Sequence, residues 1–100
     1  MNVQQITDSI KEQKDTLRSY GLIRVGIFGS YARGDIKPTS DIDVILEFDP
    51  QKKTYQNFIQ STLFLENLLK HDVDAVTPQG LSPYIKSYIE KDVTYVQVSA

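Results

Sequence analysis

GIFGSYARGDIKPTSDIDVIL, residues 26–46, is the stretch from which the rest of this chain can be read. Its first residues complete LIRVGIF (22–28), a β-branched and aromatic run that predicts a buried strand. Gly29 and Ser30 follow at once, where a sharp turn leads into a short helix through Tyr31–Gly34. A loop with Pro38, Thr39 and Ser40 then reaches DIDVILEF (41–48), a second strand ended by Asp49–Pro50. On that strand Asp41 and Asp43 are two apart, so both carboxylates leave one face while Ile42, Val44, Leu46 and Phe48 take the other.

Outward from this stretch, strands alternate with helices. Residues 3–19 predict an amphipathic helix, with Val3, Ile6, Ile10 and Leu17 at helical spacing and Gly21 placed to end it. Residues 54–69 predict a second long helix, with Phe58, Thr62, Leu65 and Leu69 on one face and Ile59 and Leu63 beside it. HDVDAV (71–76) reads as a third strand. Ser82 as N-cap and Pro83 at the first helical position start a third helix carrying Ile85, Tyr88 and Ile89. VTYVQV (93–98) is expected to be a last edge strand. The order points to an α/β or α+β sheet domain, one unit over residues 1–100.

Composition narrows the function classes. The chain of 100 residues has 40% hydrophobic and 24% charged residues, which is a globular balance well away from disorder. It has no cysteine, which removes disulfide frameworks and thiolate metal sites and allows a cytoplasmic setting. The N-terminal segment lacks an apolar signal region, and no window approaches about 18 consecutive apolar residues, so secretion and membrane spanning are not expected. Six basic and eight acidic groups in residues 1–50, and five of each in 51–100, leave no basic patch for a long nucleic acid.

Chemistry concentrates in residues 29–43. Two carboxylates side by side repel unless a cation sits between them, and oxygen ligands of this kind suit Mg²⁺ or Mn²⁺ rather than Zn²⁺. A D-x-D alone also describes a strand start with two solvated aspartates. An EF-hand is excluded, because counting from Asp41 puts Leu46 where glycine is needed and Lys52 where glutamate is needed. Gly29 and Ser30 after a strand form a phosphate site if backbone amides and the Ser30 hydroxyl converge, with Arg33 near enough to add charge. Taken alone, Gly-Ser is equally a turn with a cap, and no Walker-type P-loop is present. The combination is more informative: a phosphate cradle, ten residues, then a carboxylate pair is the layout nucleotidyl transfer requires. Asp74, between Val73 and Ala75 in the third strand, is the candidate third carboxylate.

With these residues in view, the chain resembles the DNA polymerase β-like nucleotidyltransferase superfamily, whose signature is G-S, ten residues, D-x-D. The fuller string GIFGSYARGDIKPTSDIDVIL with the later VDAVTP looks like the minimal nucleotidyltransferases (MNT), over roughly residues 22–95. That resemblance implies a small mixed β-sheet packed with helices. It implies Asp41, Asp43 and Asp74 as metal-binding catalytic carboxylates, Gly29 and Ser30 contacting the phosphates of ATP or another NTP, and Arg33 as a further phosphate contact. It also implies a HEPN-domain toxin as partner, neutralised in some family members by transfer of AMP to a tyrosine.

Two rival functions follow from the same residues. One is a non-catalytic antitoxin that masks its partner stoichiometrically. The other is transfer to a small molecule such as an aminoglycoside, for which a hundred residues leave little room unless a homo- or hetero-oligomer completes the pocket. His71 is expected to be a solvated loop residue, and Asp35 and Asp49 to serve turns. Glu47 shares the carboxylate face but lies about 13–14 Å from Asp43, too far to ligate one ion. Tyr84, Tyr88 and Tyr95 fall at core-like positions, with Tyr31 or Tyr55 as the tyrosines available to a partner.

Overall fold

The computed structural model describes residues 1–99. Two amphipathic helices, α1 (Val3–Glu12) and α2 (Lys14–Ser19), open the chain. They are followed by β1 (Leu22–Phe28), the short α3 (Gly29–Arg33), β2 (Ile42–Phe48) and the long α4 (Tyr55–Leu69). Then come β3 (Val73–Val76), a 3-10 turn at Pro78–Gly80, α5 (Pro83–Glu90) and β4 (Thr94–Gln97). The strands form one mixed sheet in the order β3-β2-β1-β4. β1 runs antiparallel to both β2 and β4, and β2 runs parallel to β3. A parallel pair needs a crossover, and α4 supplies it.

Local chemistry sets the helix ends. Asn2 and Gln5 form a reciprocal capping box on α1, with both bonds at 2.9 Å. The expected single helix over 3–19 is interrupted at Gln13, which leaves the helical region at φ −112° and ψ 24°. Its N–H still bonds the Ile10 carbonyl at 3.0 Å, so the chain turns without losing that bond. Gly21 follows α2 with φ +88°, and its N–H bonds the Arg18 carbonyl at 2.9 Å. Thr54 Oγ1 caps α4 through the Asn57 N–H, and Ser82 caps α5 with Pro83 first in the helix.

The two sheet faces differ sharply. On one, Ile42, Val44, Leu46 and Phe48 of β2 join Val25 and Ile27 of β1 and Val96 of β4, all buried. Ile6, Ile10 and Leu17 from α1 and α2, and Leu65 and Leu69 from α4, close over them. Full burial of each such side chain stabilises the fold by about 1.5–3 kcal/mol, so this face carries most of the stability. Leu63, expected beside the buried stripe of α4, is half exposed.

The opposite face is built in rows across the strands. Register places Asp74, Asp43 and Phe28 in one row, then Val76, Ile45, Gly26 and Tyr95, then Glu47, Arg24 and Gln97. Arg24 Nε donates to Glu47 Oε2 at 2.6 Å, and its guanidinium lies 3.8 Å from the centre of the Tyr95 ring. Here the structure corrects the expectation for α5. Lys86 and Glu90 stand over the sheet pair, lining a cavity of about 190 Å³ with Arg24, Glu47 and Tyr95, and both remain exposed. Tyr84 and Tyr88 are 81% and 62% exposed instead of joining the core. Tyr31, expected to be available to a partner, is buried, whereas Tyr55 is exposed. Among the described residues, no helix is long and apolar enough to cross a membrane.

Candidate nucleotide site

The site begins where β1 ends. Phe28 at the end of β1 pairs with Asp43 in β2, and Gly29 then turns with φ +71° into α3. That region of backbone space strongly favours glycine. A second constraint applies at the same atom. A side chain at Gly29 would collide with Asp43 Oδ2 and lie 3.0 Å from Asp43 Cγ. The Asp43 carboxylate therefore rests directly against the Gly29 backbone. No side chain caps α3, so the first amides of that helix lack a side-chain partner.

Parallel pairing of β2 with β3 puts Asp74 opposite Asp43. The segment that positions β3 is tied on both sides. The Ile42 N–H bonds the Asp72 carbonyl at 3.1 Å, and the Val73 N–H donates to Glu66 Oε2 at 3.1 Å. His71, expected to be a solvated loop residue, instead links two elements. Its Nε2 is 3.3 Å from the buried Tyr31 hydroxyl, and its Nδ1 is 3.0 Å from the Asp72 carbonyl. Because a carbonyl only accepts, Nδ1 carries the proton there, and Nε2 accepts from the Tyr31 hydroxyl. α3 and the start of β3 are held together by this pair.

Electrostatics reflect the crowding of acids. Burial pushes the Asp43 carboxyl above its ordinary range, and the charges of Asp74 and then Asp41 push it further, while Arg33 pulls it back. A half-buried carboxylate in this position is costly to ionise without a cation. The donors are oxygens alone, which fits a hard divalent cation. Among the described residues, no three acidic or histidine side chains are gathered closely enough for a complete cage. Mg²⁺ in nucleotide sites commonly uses one or two carboxylates and completes its shell with phosphate oxygens and water, so the set is compatible with it.

The structure brings some of the sequence-predicted residues into one cleft and places others beside it. Gly29, Ser30, Arg33 and Asp43 line a cleft of about 310 Å³. Asp41 is exposed and opens onto a neighbouring groove of about 520 Å³ with Glu66, His71 and Asp72. Although larger, that groove lacks Gly29, Ser30 and Arg33, so the smaller cleft is the better match to a phosphate ligand. Arg33 Nε also donates to Asp35 Oδ2 at 3.4 Å, a contact weak enough to be exchanged for a phosphate. Asp49 serves a turn as expected, its Oδ1 accepting from the Gln51 N–H at 3.0 Å. Glu47 is engaged by Arg24. Sequence reasoning missed four residues of the cleft wall: Phe28, Tyr88, Ile89 and Asp92. The apolar spacing of Tyr88 and Ile89 was visible, but the same spacing describes a core-facing helix.

Comparison with known proteins gives the family. The family described as "Nucleotidyltransferase domain" matches residues 10–96. The protein adenylyltransferase MntA of Thermococcus cleftensis is 32% identical over 97 residues, covering 96% of this chain and 97% of its own. A solved structure provisionally described as a minimal nucleotidyltransferase superposes with a TM-score of 0.72 at 28% identity, covering 94% of this chain and 95% of that one. A chain in the complex of tri-AMPylated Shewanella oneidensis HEPN toxin with MNT antitoxin shares the fold, at a TM-score of 0.62 and 21% identity, over 95% of this chain and 70% of its own. The chain belongs to the nucleotidyltransferase domain family and, within it, to the minimal nucleotidyltransferases.

Proposed function

We propose that residues 1–100 form one catalytic domain that transfers AMP from ATP to a hydroxyl of a partner protein in the cytoplasm. The partner proposed is a HEPN-domain toxin, which would make this chain its antitoxin. One observation carries the proposal: Gly29 and Ser30 meet Asp43 at a single cleft, with Asp74 opposite Asp43 in register. The name of the Thermococcus cleftensis relative, a protein adenylyltransferase, supports the reaction. The words HEPN toxin and MNT antitoxin describing the Shewanella oneidensis complex support the partner.

In this proposal the Gly29 and Ser30 amides and the Ser30 hydroxyl hold the β- and γ-phosphates, and Arg33 adds a positive charge from the same cleft. Asp41, Asp43 and Asp74 would hold Mg²⁺ or Mn²⁺, which when bound offsets phosphate charge and lowers the pKa of an acceptor hydroxyl. The acceptor hydroxyl, which Asp74 would help to activate, gives its proton to solvent, and its oxygen bonds to the α-phosphorus as the bond from that phosphorus to the bridging β-phosphate oxygen breaks. Pyrophosphate leaves with the electron pair, opposite the attacking oxygen. Held phosphates keep that line of departure fixed, which is the positioning contribution of the Gly29 turn.

Incubating the protein with ATP, Mg²⁺ and the product of its neighbouring gene, then measuring the intact mass of both chains, tests the proposal. An AMP adduct on the partner is expected, and it should be absent with Asp41→Asn or Asp43→Asn. No adduct on the partner would overturn the proposal. Partner neutralisation that persists unchanged in Asp43→Ala would show stoichiometric masking instead.

A further inference from the structure

We propose that α5 supplies the nucleoside-binding wall of the cleft, with the Tyr88 ring stacking on the nucleobase. This rests on reading the cleft as a nucleotide site and adds the part that reads the base. The cleft has two unlike sides. Phe28, Gly29, Ser30, Arg33 and Asp43 come from the end of β1, α3 and β2, where the half-buried Phe28 is the one aromatic ring, whereas the exposed Tyr88 comes with Ile89 and Asp92 from α5 and the residues just after it. Backbone amides, a hydroxyl and a guanidinium suit phosphates. An aromatic ring and an aliphatic side chain suit the flat apolar face of a base.

Charge fixes which end of the ligand goes where. Each side carries one carboxylate, Asp43 or Asp92, so the Arg33 guanidinium and the Ser30 hydroxyl decide: they draw the phosphates to the α3 side and leave the α5 side for the sugar and base. Asp92 there can accept hydrogen bonds from hydroxyl or amino groups. The Tyr88 ring is also available. It is 62% exposed, and Lys91 Nζ stands 5.9 Å from its centre, at the outer limit of a cation–π contact. α5 is capped by Ser82 and started by Pro83, yet it buries none of its residues. Packing against the core therefore does not account for the aromatic residue at position 88, which, unlike the still more exposed Tyr84, lines the cleft.

Calorimetric titration in Mg²⁺ with ATP and, separately, with inorganic tripolyphosphate tests the assignment in wild type, Tyr88→Ala and Tyr88→Phe. Removal of a base-stacking aromatic typically weakens binding by about 5- to 150-fold. Tyr88→Ala is expected to lose ATP affinity in that range while keeping tripolyphosphate affinity within about twofold, and Tyr88→Phe is expected to keep both. Because residue 88 is exposed, thermal unfolding of all three proteins should coincide. Unchanged ATP affinity in Tyr88→Ala, an equal loss for both ligands, or no ATP binding by wild type would overturn the assignment. ATP binding that depends on Tyr88 with no transfer to any partner would uphold it while overturning the proposed reaction.

Discussion

Replacing Gly29 by alanine tests the geometry on which the site depends, because two separate costs meet at one methyl group. The backbone there has φ +71°, and an L-residue in that region costs about 1–2 kcal/mol. The new Cβ would also collide with Asp43 Oδ2 and stand 3.0 Å from Cγ and 3.3 Å from Cβ. The Asp43 side chain must then leave its rotamer, at about 0.5–1.5 kcal/mol, or force the strand ends apart at somewhat more. Together these give about 1.5–3.5 kcal/mol with the rotamer change, a fall in Tm of at least about 6 °C for a domain of this size. Reversible thermal unfolding followed by circular dichroism measures it. The two costs separate in a double-mutant cycle with Asp43→Ala, where only the Cβ at 3.3 Å remains to be met. The Gly29→Ala penalty should be smaller in that background by about 1 kcal/mol. A fall in Tm below about 4 °C, or an equal penalty in both backgrounds, would refute the packing of Asp43 on Gly29.

Three further outcomes are expected. Because burial and the Asp74 and Asp41 charges raise the Asp43 pKa, the metal-free fold favours the protonated carboxyl. Stability from this group is thus fully present below the ordinary carboxylate pKa and is lost as pH rises through the folded value, so Asp43→Asn should lack that loss. At neutral pH the variant should be more stable than metal-free wild type by about 0.5–1 kcal/mol, after allowing for solvent screening, as measured by parallel denaturant titrations across pH. Adding Mg²⁺ with ATP should stabilise wild type, by about 2.7 kcal/mol at a hundredfold excess over Kd, and should leave the Tm of Asp41→Asn combined with Asp43→Asn nearly unmoved. Tyr31→Phe removes the hydroxyl that bonds His71 Nε2 and should cost about 1 kcal/mol in chemical denaturation, with little further cost when His71 is already alanine.

The parts of this account that were legible in the sequence are those fixed by short-range periodicity. Alternation along 41–48 placed Ile42, Val44, Leu46 and Phe48 in the core and Asp43 on the other face, as the burial shows. Ser82 and Pro83 marked the start of α5 because capping and φ restriction are local effects. The interruption at Gln13 had no such mark, since neither glycine nor proline stands there. The outward orientation of Tyr84 and Tyr88 was hidden for a different reason. The apolar spacing of Ile85, Tyr88 and Ile89 is the same whether a helix covers a core or lies on the surface, and α5 buries none of its residues. The proximity of Asp74 to Asp43 likewise needs the parallel register of β2 and β3, which a spacing of thirty-one residues does not encode. Tyr31 and His71 are forty residues apart and meet only through the same topology.

The central claim is that this cleft moves a nucleotidyl group onto a protein, and the position of a radiolabel in ATP tests it most directly. Purified protein, its neighbouring gene product and Mg²⁺ are incubated with ATP labelled at the α-phosphate or, in parallel, at the γ-phosphate. The account predicts label on the partner protein from α-labelled ATP alone, and none with Asp43→Asn. Label from γ-labelled ATP would indicate phosphoryl transfer, and label from neither would indicate no transfer at all. Either result would contradict the account.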